Sequence, residues 1–170
     1  DFENSIEKVV DYQFSGNETL VELPAPQNIF LMKTNAKNGN IFYGFQFLKN
    51  VNKGVVFNTV GVNGATYADF LKYSLQLEQL KSLHPKLIVI SLGTNESLSS
   101  ISKEEFQNTI SDLVFSFRKE EKELPILLIS PTDNALKPLK IKEIVTWIKE
   151  SALLNNVAFF NLYESTGGAG

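Results

Sequence analysis

Four short apolar runs occur in the chain after Gly54, and each is followed by a polar or glycine-rich stretch. They cover Val55–Val60, Leu87–Leu92, Ile126–Ser130 and Val157–Leu162. Nearly continuous hydrophobicity over five or six residues is typical of a strand that is buried on both faces of a parallel sheet. The pattern therefore predicts four adjacent parallel strands.

Three segments between these runs carry apolar residues at helical spacing. The first follows Thr66, the second begins at Ser102 with a capping-box pattern that ends at Glu105, and the third begins near Pro138. The residues expected on the buried helix faces are Phe70, Tyr73, Leu77 and Leu80, then Phe106, Ile110, Leu113 and Phe117, then Ile141, Ile144, Val145 and Ile148. Alternating strands and helices predict right-handed βαβ units, and so a three-layer, flavodoxin-like α/β fold with helices on both faces of the sheet.

Residues 1–53 follow a different pattern, in which apolar and polar residues alternate as in β structure. A hairpin-turn signal, Asn38-Gly39, lies inside this stretch. A few strands in about fifty residues make a weak core by themselves. The chain is therefore predicted to divide into residues 1–53, which form part of an inserted or accessory β module, and residues 54–170, an incomplete α/β domain.

Glycine and asparagine follow two of the predicted strands. Val60 is followed by Gly61-Val-Asn-Gly-Ala65, and Leu92 is followed by Gly93-Thr-Asn-Glu96. Ligands of parallel sheets bind beyond the carboxyl ends of the strands, and glycine lets a backbone N–H approach a ligand closely. The Gly64 N–H and the Asn95 amide could together stabilise an oxyanion in acyl transfer. The alternative interpretation is that both stretches only form turns and cap the helices that follow.

Composition and charge exclude several other classes of function. The net charge is −3 and the sixteen basic residues form no cluster, which argues against nucleic acid as a partner. The chain has no cysteine, so disulfides, thiolate metal sites and cysteine nucleophiles are excluded. No run in the sequence is long and apolar enough to span a membrane, and the first residues do not form a signal segment.

The two strand ends resemble conserved blocks of the SGNH (GDSL-like) hydrolases. Val60–Thr66 is similar to the second block of that family, and Gly93–Glu96 is similar to the third, which is usually Gly-x-Asn-Asp. The sequence around both blocks, and the segment Phe160–Gly168, resemble the branch that contains carbohydrate and peptidoglycan O-acetylesterases. The resemblance covers about residues 54 to 168. It implies a serine esterase that removes acyl groups, acetyl in particular, from a carbohydrate or peptidoglycan outside the cytoplasm, without a metal or cofactor.

Two of the four family blocks are not found in this sequence. Gly-Asp-Ser, which supplies the nucleophile, does not occur, and neither does Asp-x-x-His after the glycine-rich Thr166–Gly170. In the O-acetylesterase-like branch a β-rich insertion can separate the nucleophile block from the second block, and residues 1–53 fit the end of such an insertion. The resemblance thus implies the middle of a longer protein, in which Gly64 and Asn95 form the oxyanion hole. Asn63, Gly93 and Thr94 would contact substrate, and the 170 residues alone would be inactive.

The remaining candidate side chains are less suited to catalysis. His84, the sole histidine, precedes the second predicted strand and so lies at the edge opposite the expected site. Asp133 is expected to line the site or, more simply, to cap a helix, and Glu96 is expected to be structural. Two other functions stay open: a non-catalytic carbohydrate-binding or interaction protein on the hydrolase scaffold, and an unrelated flavodoxin-like domain that binds phosphate at Asn63-Gly64.

Overall fold

The computed structural model describes Val21 and residues 53–168. The predicted β module therefore lies outside the described residues, except for Val21 and Lys53. The elements in chain order are α1 (Tyr67–Lys72), α2 (Ser74–Ser82), β1 (Ile88–Ser91), α3 (Thr94–Ser97), α4 (Lys103–Arg118), β2 (Ile126–Ile129), α5 (Pro138–Leu154), β3 (Ala158–Phe160) and α6 (Leu162–Ser165).

The three strands form one parallel sheet in the order β1-β2-β3. In its register Ile90 pairs with Leu128, and Leu128 pairs with Phe159. Each strand lies inside one of the predicted apolar runs. The α/β class, with a parallel sheet flanked by helices, is therefore confirmed.

The prediction of a strand over Val55–Val60 is wrong for the described part of the chain. This segment forms no strand, and Val55 and Phe57 are 93% and 80% exposed. Among residues 53–168, β1 is an edge strand, and its outer side pairs with no other strand. An apolar run becomes a strand only when a neighbour accepts its backbone hydrogen bonds, and in this part of the chain none does.

The two long helices are those that the helical spacing predicts. Every residue expected on the buried faces of α4 and α5 is at most 7% exposed. Ser102 caps α4 by accepting from the Glu105 N–H (3.2 Å). The first predicted helix is instead two helices, because the backbone of Tyr73 leaves the helical region at φ −106° and ψ 77°. Tyr73 is 61% exposed, so its predicted place on a buried face is wrong.

The core lies between α4, α5 and one face of the sheet. Ile90, Leu128 and Phe159 lie on this face and belong to the same apolar cluster as Phe106 and Ile148. On the opposite face Val89 is 45% exposed and Phe160 is 46% exposed. The expectation that each strand is buried on both faces therefore fails for the described residues, where the long helices pack on one face only.

Within residues 53–168, the helices are too short or too polar to cross a bilayer.

Candidate active site

The Val62–Ala65 turn presents a backbone N–H at its exposed surface. The turn is closed by a hydrogen bond from the Ala65 N–H to the Val62 carbonyl (3.1 Å). Gly64 has a φ of +80°, a conformation that side-chain-bearing residues adopt only under strain. Gly64 is exposed, and its N–H donates to no group among residues 53–168. This N–H is therefore available to an oxygen of a bound ligand.

The second turn follows β1 and is built around Gly93. Its φ is +120°, and an added Cβ would lie 3.0 Å from Cγ2 of Ile144 and 3.2 Å from Cδ of Pro131. Gly93 is buried, whereas Thr94 is exposed at the first position of α3. Gly93 thus lets α3 pack directly against α5. A contact of Gly93, Thr94 or the exposed Asn63 with substrate stays a prediction.

Asn95 joins the two turns. Its Nδ2 donates to the Ala65 carbonyl oxygen at 2.8 Å, across thirty positions of sequence. A side-chain amide carries two N–H groups, and the second has no partner in the part of the chain that the structure describes. The amide therefore lies against the residue that follows Gly64. The Gly64 N–H and the Asn95 amide, which lie about thirty positions apart in the sequence, therefore belong to one small region of the structure.

Glu96 holds the same segment from inside the protein. It is 2% exposed, and its Oε1 accepts from the Tyr67 N–H at 2.7 Å. Burial raises the pKa of the Glu96 carboxyl, and the hydrogen bond from the Tyr67 N–H opposes that rise. Burial also raises the pKa of the Tyr67 hydroxyl, and the charge of Glu96 adds to that rise. The sequence predicts a structural role for Glu96 but does not indicate its hydrogen bond with Tyr67, because it shows only that a polar residue follows Asn95.

The start of α1 is fixed by a reciprocal capping box. The Thr66 Oγ1 accepts from the Asp69 N–H at 3.3 Å, and the Asp69 carboxylate accepts from the Thr66 N–H at 3.0 Å. Hydrogen bonds from Thr66 and then Lys72 lower the pKa of Asp69 to about 2. Beside this helix start is a shallow depression of about 150 Å³. It is lined by Val62, Asn63, Gly64, Ala65, Asp69, Phe70 and Tyr73.

The other candidate side chains lie away from this region or have other partners. His84 is exposed in the loop before β1, at the amino edge of the sheet as the sequence predicts. Ser130, the residue directly after β2, is also no exposed nucleophile: it is fully buried, and its Oγ accepts from the Tyr163 N–H at 3.0 Å. Asp133 is exposed, and the N-cap of α5 is Lys137, so the prediction that Asp133 caps a helix is wrong.

The region can offer hydrogen-bond donors to an anion or a developing oxyanion. It supplies one backbone N–H and one side-chain N–H, the kind of pair that stabilises negative charge on a carbonyl oxygen. Within residues 53–168 no group of three or more His, Asp or Glu side chains could hold a metal ion. The sole histidine, His84, lies at the other edge of the sheet, so it is not placed to act as a general base in this region.

Comparison with known proteins assigns the chain to a family. Residues 34–170 match the model of the GDSL-like lipase/acylhydrolase family. Because this match covers more than half of the chain, the chain belongs to that family of SGNH hydrolases. A search of the curated proteins found no match.

Solved structures that share the fold include the following two. One is of a peptidoglycan O-acetylesterase, with 22% sequence identity, a TM-score of 0.56, and coverage of 62% of this chain and 33% of the other. The second is of a lipase/acylhydrolase from Enterococcus faecalis, with 22% identity, a TM-score of 0.50, and coverage of 60% and 53%. This chain therefore spans between one third and about half the length of these relatives.

Proposed function

We propose that this chain supplies the oxyanion hole of a serine esterase that removes acyl groups, acetyl in particular, from a carbohydrate or peptidoglycan. Membership of the family supports an acyl esterase as the general activity. The observation that carries the proposal is the bond between the Asn95 amide and the Ala65 carbonyl. It brings the amide to the turn whose Gly64 N–H is unpaired among residues 53–168.

The chemistry follows from what these two donors can do. A serine attacks the ester carbonyl, and the carbonyl oxygen gains negative charge as the tetrahedral intermediate forms. The Gly64 N–H and the second N–H of Asn95 donate to that oxygen. Such donors are aimed before the reaction begins and stabilise the transition state more than the ground state, so each contributes to kcat.

The serine and its general base are proposed to come from residues outside these 170. The sequence has no Gly-Asp-Ser block, and its one histidine lies at the opposite edge of the sheet. The outer edge of β1, which pairs with no strand among residues 53–168, would accommodate the strand that carries the nucleophile. We further propose that the longer protein acts outside the cytoplasm, where carbohydrate polymers of this kind occur, and that it needs no metal or cofactor.

The activity is tested by comparing the 170-residue chain with the full reading frame that contains it. The 170 residues should not hydrolyse p-nitrophenyl acetate above background, because without a nucleophile no acyl-enzyme can form. The longer protein should be active on that ester and on acetylated carbohydrate. An inactive longer protein with intact serine and histidine blocks would favour the non-catalytic carbohydrate-binding alternative. Turnover by the 170 residues that disappears in His84→Ala would place the active site elsewhere.

The oxyanion hole is tested by Asn95→Ala in the longer protein. This change should lower kcat by roughly 10²-fold or more, with a much smaller change in KM, because the lost donor acts on the transition state. Asn108→Ala is a matched control, since Asn108 is an exposed asparagine on α4. Equal kcat values for the two variants would contradict the assignment of Asn95.

A further inference from the structure

Residues 65–67 make hydrogen bonds of the kind that a segment makes with a neighbouring parallel strand. Thr66 has extended dihedral angles, φ −118° and ψ 168°. In extended backbone the C=O of one residue and the N–H two positions later point to the same side, which is how a parallel neighbour bonds both. Here the Ala65 C=O accepts from Asn95 and the Tyr67 N–H donates to Glu96. Two consecutive side chains thus take the place of a neighbouring strand.

The Tyr67 N–H has few other possible partners. It is the first N–H of α1, one of the groups that a helix leaves without an intrahelical acceptor. The capping box between Thr66 and Asp69 satisfies other N–H groups of this first turn. Tyr67 is fully buried, so solvent does not replace the Glu96 carboxylate. The distance of 2.7 Å between the Tyr67 nitrogen and the Glu96 Oε1 is at the short end of the range for N–H···O hydrogen bonds.

We propose that Glu96 is a positioning residue for the oxyanion hole. By accepting from the Tyr67 N–H it holds the Gly64–Tyr67 segment against α3, and so keeps the Gly64 N–H at a constant distance from the Asn95 amide. Glu96 is buried and does not itself contact substrate. The inference rests on the proposed function, because the geometry that it maintains matters for rate only if both donors bind the oxyanion.

The hydrogen bond between the Tyr67 N–H and Glu96 is tested on the 170-residue chain, without reference to activity. Hydrogen exchange of the Tyr67 amide, followed by NMR, should be at least roughly tenfold faster in Glu96→Ala than in the wild type. Glu96→Gln should keep Tyr67 protected, because the amide oxygen can still accept. Exchange at Ile110, inside α4, serves as the internal control and should stay unchanged. An unaltered Tyr67 exchange rate in Glu96→Ala would overturn the proposal.

The effect on catalysis is tested in the longer protein with the same two variants. Glu96→Ala should lower kcat by about 10- to 100-fold with KM within about threefold, since a donor displaced by an ångström loses much of its effect. Glu96→Gln should retain kcat within about threefold. Ile110→Val, a conservative change at a fully buried site of α4, is the control for a general loss of stability and should leave kcat unchanged.

The outcomes separate the two proposals. A wild-type longer protein without esterase activity contradicts the proposed function, while the exchange experiment still decides whether Glu96 holds Tyr67. An active wild type, together with a folded Glu96→Ala variant of normal kcat, overturns the positioning role. A Glu96→Gln variant as slow as Glu96→Ala also overturns it, because the acceptor would not be what matters. If Glu96→Ala does not fold, Glu96→Met replaces it, since methionine is similar in volume but has no oxygen acceptor, and normal kcat in that variant again contradicts the proposal.

Discussion

Individual side chains and glycines at the strand ends determine the shape of the candidate site. Asn95 and Glu96 are neighbours in sequence, yet one reaches the surface and the other is buried. Both contact the same segment of the chain, through Ala65 and Tyr67. A site built in this way depends on the backbone conformation of the residue that begins the turn, which is Gly93.

Replacing Gly93 by alanine should destabilise the chain by about 1 to 3 kcal/mol. The cause is both a φ of +120° and a Cβ placed 3.0 Å from a side-chain atom of Ile144. Urea unfolding followed by circular dichroism measures the effect. Gly61→Ala is the matched control, because nothing lies within 4 Å of its added Cβ and its φ is not positive. Similar losses in both variants would contradict this explanation.

Glu96→Gln should change how stability depends on pH. Burial first, and then the nearby charge of Asp69, raise the pKa of Glu96 above its ordinary 4.5. The folded state therefore holds the proton more tightly than the unfolded state. Wild-type stability is fully present below pH 4.5 and falls as the pH rises through the raised folded pKa, a loss that the Gln variant lacks.

The measurement is the free energy of unfolding of both proteins at several pH values between 4 and 8. The wild type should lose stability relative to Glu96→Gln across this range. Asp69 and Tyr67, the other ionisable groups that interact with Glu96, are present in both proteins. A constant difference between the two curves would show that the Glu96 carboxyl has an unshifted pKa.

At the scale of elements, a single arginine connects three segments at one end of the core. The Arg118 guanidinium, at the end of α4, donates to the carbonyls of Leu124, Asn155 and Asn156 at 3.2, 3.0 and 3.3 Å. The first of these carbonyls precedes β2, and the other two follow α5. The planar fork of N–H groups suits such an arrangement, which a single ammonium cannot reproduce.

Arg118→Lys should therefore cost about 1 to 2 kcal/mol, because at least one of these carbonyls, two of which are partly buried, loses its donor. Thermal or urea unfolding of the 170-residue chain reports the change. Lys122→Met serves as the control, since Lys122 is exposed and follows the end of α4. If Arg118→Lys is as stable as the wild type, then the three hydrogen bonds contribute little beyond what solvent provides.

At the scale of the whole molecule, one face of the sheet is apolar, and no long helix of residues 53–168 packs on it. Val89, Leu127 and Ala158 pair in register, as do Ile129 and Phe160, and all five lie on this face. Both edges of the face are about half exposed at Val89 and Phe160. Contiguous apolar surface of this kind promotes association.

The isolated 170-residue chain should therefore bind the dye ANS and self-associate. Val89→Lys should lower the dye fluorescence by roughly half, because it places a charge in the middle of the exposed edge. Leu153→Lys is the control: Leu153 is 75% exposed, but it lies on α5, away from the sheet face. Equal effects of the two substitutions would show that the dye does not bind at this face. Sedimentation of both variants gives the association state independently.

Much of the fold could be predicted from local pattern. The faces of α4 and α5 follow from apolar residues at a spacing near 3.6, and β1, β2 and β3 lie inside the apolar runs. The break between α1 and α2 could not be predicted, because the apolar spacing continues through Tyr73 while its backbone does not. Likewise, the hydrophobicity of Val55–Val60 indicates a strand, but no pairing partner for that segment is found among residues 53–168.

The sequence by itself determined the identity of the two donor-bearing turns, because glycine and asparagine at a strand end restrict local conformation whatever surrounds them. Only the tertiary structure decided that Asn95 bonds to Ala65 and that Glu96 is buried beneath Tyr67. Those contacts join positions about thirty residues apart. Their formation depends on how α1 and α3 come together in the folded chain, which no short stretch of sequence determines.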